Sequence, residues 1–132
     1  MKVLFVCSGN VYRSPLAEAL LRKFRPDWVV DSAGMRTVIP IAEEVKEFLK
    51  AENAEKFLKP APETLNGKRL ADYDVIVAME NVHKEYVLSL CPQCKGKIVV
   101  WDIPDPYLMS KEVMWKIFKQ IKTKVMELAN QQ

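Results

Sequence analysis

Unbroken apolar runs alternate along this chain with stretches of helical period, and that alternation sets the expected fold. Val3, Leu4, Phe5 and Val6 form a β-branched and aromatic run without polar interruption, the pattern of a central parallel strand covered on both faces. Cys7 ends it. After the polar segment Ser8-Gly9-Asn10-Val11-Tyr12-Arg13, a helix start is signalled by Ser14 as cap and Pro15 at the first helical position. Leu16, Ala17, Leu20, Leu21 and Phe24 then make one apolar stripe that stops near Pro26. Trp28 to Val30 reads as a short second strand ended by Asp31-Ser32-Ala33-Gly34, and Ile41 to Lys50 as a second helix. Residues 57–70, with two prolines and Asn66-Gly67, read as loop with one helical turn. Val75 to Met79 is the third strand, Asn81 to Leu90 a helix, and Lys97 to Trp101 the fourth strand. Lys111 to Leu128 closes the chain as a long helix striped by Met114, Ile117, Phe118, Ile121, Val125 and Leu128, and Asn130-Gln131-Gln132 reads as a frayed end. Strands alternating with helices in this way predict an α/β parallel sheet with helices on both faces and right-handed crossovers. Ligands bind such sheets at the carboxyl ends of the strands, where the loops after the first and fourth strands lie.

Composition narrows the class. At 132 residues the chain makes one domain, and 49% hydrophobic with 28% charged residues excludes disorder and fibrous architectures. Twenty Lys and Arg against seventeen Asp and Glu leave +3, far from the basic stripe of a nucleic-acid-binding protein. No apolar run approaches the roughly 20 residues of a membrane span, and Val3 to Val6 is too short for a signal-peptide core, so the expected compartment is the cytoplasm, away from membranes. Three cysteines without a secretory signal argue against a disulfide framework and for free, reduced thiols.

The first loop carries the chemistry. Cys7 stands at a strand end, Arg13 lies six positions on, and a helix N-terminus stands behind both. Backbone N–H groups from Ser8 to Ser14 can converge as an anion-binding nest, with the helix dipole adding positive potential. Gly9 and Asn10 suit the left-handed conformations such curvature needs. Arg13 supplies a planar bidentate fork for two phosphate oxygens. The same positive field favours the thiolate, the nucleophilic form of Cys7, which is then placed to attack phosphorus and form a phospho-cysteine. Ser14 is read in two ways, as a helix cap or as a hydroxyl turned inward toward the sulfur.

The segment Val-Leu-Phe-Val-Cys-Ser-Gly-Asn-Val-Tyr-Arg-Ser-Pro-Leu-Ala-Glu-Ala closely resembles the opening of the low-molecular-weight protein tyrosine phosphatases. The resemblance extends in order through Asp31-Ser32-Ala33-Gly34, then Asp72-Tyr73-Asp74 to Ala78-Met79-Glu80, and Asp105-Pro106-Tyr107. It implies a single domain over residues 1–132 with a four-stranded parallel sheet, and phosphomonoester hydrolysis without metal or other cofactor. It further implies Cys7 as nucleophile, Arg13 as phosphate clamp and Asp105 as general acid, with Asn10, Ser14 and Ser32 as the shell holding the loop. Substrates would be phosphotyrosine proteins or small phosphomonoesters, with inorganic phosphate and other oxyanions as inhibitors. Tyr107, with Tyr12, would form the pocket wall. Two departures stand out: Tyr12 occupies the place where many relatives carry a second cysteine, and Met35 to Pro40 is shorter than the family's substrate loop and lacks tryptophan.

Asp105 has a reason of its own to be considered. A phenolate leaving group needs a proton that the thiolate cannot supply, and Asp105, held between Pro104 and Pro106 just past the fourth strand, can give it. The same residue, once ionised, would activate water against the phospho-cysteine. Asp102 reads as a turn residue. Cys91-Pro92-Gln93-Cys94 is too poor in companions for a structural zinc site, since His83 is the single histidine. It reads as a local redox pair or disulfide. The alternative is a thiol relay to Cys7, as in arsenate reductases of the same fold, although their pair is spaced wider. A catalytically idle phosphotyrosine-binding module would not need nucleophile, arginine and acid together. His83 reads as a helix-surface residue, and the five lysines of the last helix as its solvated face.

Overall fold

The computed structural model describes residues 1–131. Its core is a four-stranded parallel sheet in the order β2, β1, β3, β4, formed by β1 (Lys2–Cys7), β2 (Val29–Gly34), β3 (Val75–Ala78) and β4 (Ile98–Val100). β1 lies inside the sheet because its side chains find cover on both faces: Val3, Leu4, Phe5 and Val6 are all fully buried. Val3, Phe5 and Cys7 face α1 (Arg13–Phe24), α2 (Glu43–Ala51) and α4 (Lys111–Ala129), packing with Leu16, Leu20, Phe48 and Phe118. Leu4 and Val6 face the opposite side, toward Val87 of α3 (Asn81–Leu90), Tyr73 and Cys94. The α4 stripe expected from the sequence is buried in full, and Phe48, Trp115 and Phe118 stack edge-on across its contact with α2. Parallel register aligns Cys7 with Gly34 and Val6 with Ala78. One edge of the sheet thus gathers the loops after β1, β2, β3 and β4.

Several boundaries differ from expectation, each for a physical reason. β2 runs on through Asp31-Ser32-Ala33-Gly34, paired with Leu4 to Cys7, because the polar Ser32 finds hydrogen-bond partners inside the fold. α1 starts at Arg13, with Tyr12 as its N-cap and no side-chain cap bond, so Ser14 is not the cap and Pro15 is the third helical residue. Proline is tolerated there because the first four helical N–H groups lack intrahelical acceptors. α2 starts at Glu43, and β3 and β4 are trimmed by one residue at the ends nearest the loops, β4 also losing Lys97. Residues 57–70 are mostly loop, with short 3-10 turns at Glu55–Phe57 and Leu70–Asp72. Asn130 and Gln131 still bond back to Met126 and Leu128, so the fraying expected of them is not seen, and Gln132 lies outside the described residues.

The cysteines also depart from the expectation of three free thiols. Cys91 ends α3, a 3-10 turn over Pro92–Lys97 follows, and the Cys94 N–H bonds the Cys91 carbonyl at 3.0 Å. That turn brings the two Cα atoms to 5.5 Å, and the pair is disulfide-bonded. Cys7 remains free and buried.

Candidate active site

A chain of hydrogen bonds ends on the Cys7 sulfur. Asn10 takes the left-handed conformation, with φ of 57°, and turns its amide under the loop. Gly9 was also expected to do so but keeps an ordinary φ; one left-handed residue completes the bend. The Glu63 N–H donates to Asn10 Oδ1 at 2.9 Å, which fixes the amide and leaves Nδ2 to donate to Ser14 Oγ at 2.8 Å and Ser32 Oγ at 3.0 Å. The Ser14 oxygen that accepts from Asn10 lies 2.8 Å from Cys7 Sγ, in hydrogen-bond contact with the sulfur. Of the two readings of Ser14, the inward one is the geometry found.

Ser32 in turn donates to Glu18 Oε1 at 2.6 Å, and Lys59 donates to the Ser32 carbonyl at 2.7 Å. Lys59 is itself buried and lies within 4 Å of carboxylate oxygens of Glu18, Asp31 and Glu63. Burial pushes the Glu18 carboxyl above its usual range, against the pull of the Ser32 hydroxyl and Lys59. Neither Glu18 nor Lys59 was expected from the sequence; the signal available was an acid inside the apolar stripe of α1. The backbone N–H groups of Ser8, Gly9, Val11 and Tyr12 make no bond to a protein acceptor among the described residues, which leaves the loop with uncommitted donors. Gly34 backs the loop closely. A Cβ there would meet Asn10 N and Gly9 C at 2.8 Å, while the Met35 and Arg36 N–H groups hold the Ser8 carbonyl.

Arg13 is 2% exposed and is anchored on one side by the Ile103 carbonyl, which accepts from Nη1 at 2.9 Å, and by an ion pair with Glu80. Its other nitrogen, Nη2, lies 3.9 Å from Asp105 Oδ2. Ile103 reaches this position because its N–H continues the sheet, bonding the Met79 carbonyl at 2.8 Å. That bond also aims Pro104-Asp105-Pro106 at the cleft. Asp102 and Leu108, both with positive φ, bend the chain before and after the acid, and Asp105 Oδ1 accepts the Tyr107 N–H at 3.1 Å.

His83 corrects the sequence reading most sharply. It is fully buried rather than on a helix surface. Its Nδ1 accepts the Glu80 N–H at 2.9 Å and its Nε2 lies 2.9 Å from Ser8 Oγ. Burial, helped by the charge of Arg13, pushes its pKa down to about 4, so the ring is neutral. Glu80 and His83, three residues apart at a helix start, carry a capping-box spacing that the sequence did display.

Cys7, Ser8, Arg13 and Asp105 border one cleft of about 270 Å³, with Tyr12 and Tyr107 also lining it and Gly9 and Val11 along the loop. Arg36, Val38 and Ile39, from the short segment after β2, complete the rim. Cys91 and Cys94 are not brought to this site. They pack on the opposite face of the sheet, beyond the far end of α3, and are bonded to each other. A thiol relay to Cys7 is therefore not favoured.

Residues 2–132 match the family model described as low molecular weight phosphotyrosine protein phosphatase. The chain belongs to this family. The low-molecular-weight protein-tyrosine-phosphatase Wzb of Escherichia coli K12 is 32% identical over 88% of this chain and 84% of its own length. Vibrio vulnificus Wzb, solved in complex with benzylphosphonate, superposes with a TM-score of 0.86 at 30% identity, covering 97% of this chain and 96% of that one. The YwlE arginine phosphatase from Geobacillus stearothermophilus shares the fold with a TM-score of 0.84 at 27% identity, covering 97% and 90%. This low-molecular-weight phosphatase is accordingly a cysteine-dependent phosphatase with the family's α/β fold.

Proposed function

We propose that this protein hydrolyses aryl phosphomonoesters, with phosphotyrosine in proteins as the substrate class, through a phosphoryl group carried on Cys7. The phosphate oxygens lie against the loop amides and the Arg13 guanidinium. The Cys7 thiolate attacks phosphorus, the P–S bond forms, the bond to the tyrosyl oxygen breaks, and Asp105 protonates the leaving phenolate. Asp105, now ionised, takes a proton from water as that water attacks phosphorus. The P–S bond breaks, inorganic phosphate leaves, and the Ser14 hydroxyl again faces a charged sulfur. Asn10, Ser14 and Ser32 hold the loop in shape throughout. Inorganic phosphate and related oxyanions compete for the same cradle. A free thiol at Cys7 is required for every turnover.

The observation that carries this reading is the convergence on one cleft of a sulfur in hydrogen-bond contact with the Ser14 hydroxyl at 2.8 Å and a buried guanidinium 3.9 Å from a carboxylate. Tyr12 and Tyr107 flank the cleft, and Val38 and Ile39 add apolar surface, which suits an aromatic leaving group. The test is turnover of p-nitrophenyl phosphate and of matched phosphotyrosine and phosphoarginine peptides, with acid quench to trap phosphate on Cys7. Parent protein should cleave the phosphotyrosine peptide in preference, and Cys7→Ser should bind phosphate without turning over. Persistent turnover in Cys7→Ser would remove the nucleophile, and preference for phosphoarginine would replace the substrate class.

A further inference from the structure

Ser8 and His83 form a polar pair beside the cleft that the steps above leave unused. The Glu80 backbone N–H can only donate, so His83 Nδ1, 2.9 Å away, must accept and cannot carry a proton. The neutral ring then holds its hydrogen on Nε2, and the bond to Ser8 Oγ at 2.9 Å runs from His83 to Ser8. Arg13 Nη2 also points at Ser8 Oγ, at the long distance of 3.5 Å. Both neighbours of the Ser8 oxygen are donors. Its own O–H proton therefore has no acceptor among them, while the residue itself is exposed and borders the cleft. The links close into a ring: Arg13 to Glu80 by ion pair, Glu80 to His83, His83 to Ser8, and Ser8 back to Arg13.

We propose that the Ser8 hydroxyl is a substrate-binding group that donates to a phosphoryl oxygen alongside Arg13, and that His83 is the positioning residue that makes Ser8 a donor toward the cleft. The proposal rests on the phosphatase reading for its role in turnover, though not for anion binding. Glu80 serves both halves of the ring, holding the Arg13 guanidinium with its side chain and the His83 tautomer with its backbone. The clamp and the hydroxyl are thus set by one helix start. A serine with no neighbouring donor would rotate freely and share its proton with water; here the oxygen's acceptor side is taken.

The experiment compares parent, Ser8→Ala, Ser8→Thr, His83→Asn, His83→Gln and the double variant Ser8→Ala with His83→Asn. Two readouts are taken: the dissociation constant for inorganic phosphate by calorimetry, and kcat and KM for p-nitrophenyl phosphate. Loss of one hydrogen bond to a charged group should weaken phosphate binding and lower kcat/KM by about tenfold or more in Ser8→Ala, and Ser8→Thr should recover most of it. His83→Asn keeps an acceptor for the Glu80 N–H but loses reach to Ser8, so it should match Ser8→Ala, and His83→Gln should restore part of the loss. The double variant should be no worse than Ser8→Ala alone. Phosphate affinity and kcat/KM both within twofold of parent in Ser8→Ala would overturn the donor role. A His83→Asn loss that persists undiminished in the Ser8→Ala background would make His83 merely structural and overturn the positioning role. Should His83→Asn fail to fold, Ser8→Ala against Ser8→Thr still decides the hydroxyl, and His83→Gln decides the ring. Parent protein that binds phosphate through Ser8 but hydrolyses no monoester would overturn the phosphatase reading and leave this one standing.

Discussion

Asp105 and Arg13 are two side chains of opposite exposure to which the proposed mechanism assigns one task. Arg13 is almost fully buried and satisfied by Glu80 and the Ile103 carbonyl, so its orientation is fixed before any phosphate arrives. Asp105 is half exposed and only 3.9 Å from Nη2, free to exchange that contact for a leaving group. If its service is protonation, Asp105→Asn should slow phenyl phosphate cleavage by about 10²- to 10⁴-fold and p-nitrophenyl phosphate, whose phenolate leaves without help, far less. Equal slowing of both substrates would mean a different role. His83 makes a separate prediction at the same scale. Its folded pKa of about 4 lies below the usual 6.5, so above pH 6.5 both folded and unfolded chains hold it neutral. As pH falls from 6.5 to about 4 the unfolded chain alone gains the proton, and stability drops by about 3 kcal/mol in all. Urea unfolding of parent against His83→Gln across that window checks it: the parent should lose stability more steeply, and parallel curves would contradict the buried neutral ring.

At the level of elements, what the sequence showed well was whatever local period decides. The α4 stripe and the β1 run are buried as read, because a surface helix and a two-faced strand each write their burial in spacing. What it showed poorly was set by partners distant in sequence. β2 carries Asp31 and Ser32 inside a sheet, which no strand pattern announces, because Asn10, Glu18 and Lys59 arrive from elsewhere to satisfy them. Residue types at Cys7, Arg13 and Asp105 singled out three residues that the structure brings to one cleft, whereas Glu80 and His83 were hidden by their ordinary place at a helix start. The close approach of β2 to the first loop gives a prediction for that junction. In Gly34→Ala the new Cβ would press on Asn10 N and Gly9 C at 2.8 Å, both backbone atoms with little room to yield. The loop should shift, at a cost of about 1–3 kcal/mol in stability and with weaker phosphate binding. A Gly34→Ala variant with parental melting temperature and phosphate affinity would show that the loop has slack there.

Across the whole molecule the sheet separates two chemistries of sulfur. Cys7 sits at the carboxyl edge against the α1 and α4 side, and the Cys91–Cys94 disulfide sits past the end of α3 on the other face. The intervening layer is the close-packed run of Leu4, Val6 and Ile76, all fully buried, which offers no path for thiol exchange between them. Reduction should therefore act on stability alone. A cross-link closing so short a loop contributes about 2 kcal/mol in the chain-entropy account, which for a domain of this size corresponds to a fall in Tm of roughly 5–10 °C. Dithiothreitol should lower Tm by an amount of that order while leaving kcat/KM for p-nitrophenyl phosphate unchanged, with Ellman titration counting the thiols released. A change in turnover that tracks the reduction of Cys91 and Cys94 would instead show that the two faces of the sheet are coupled.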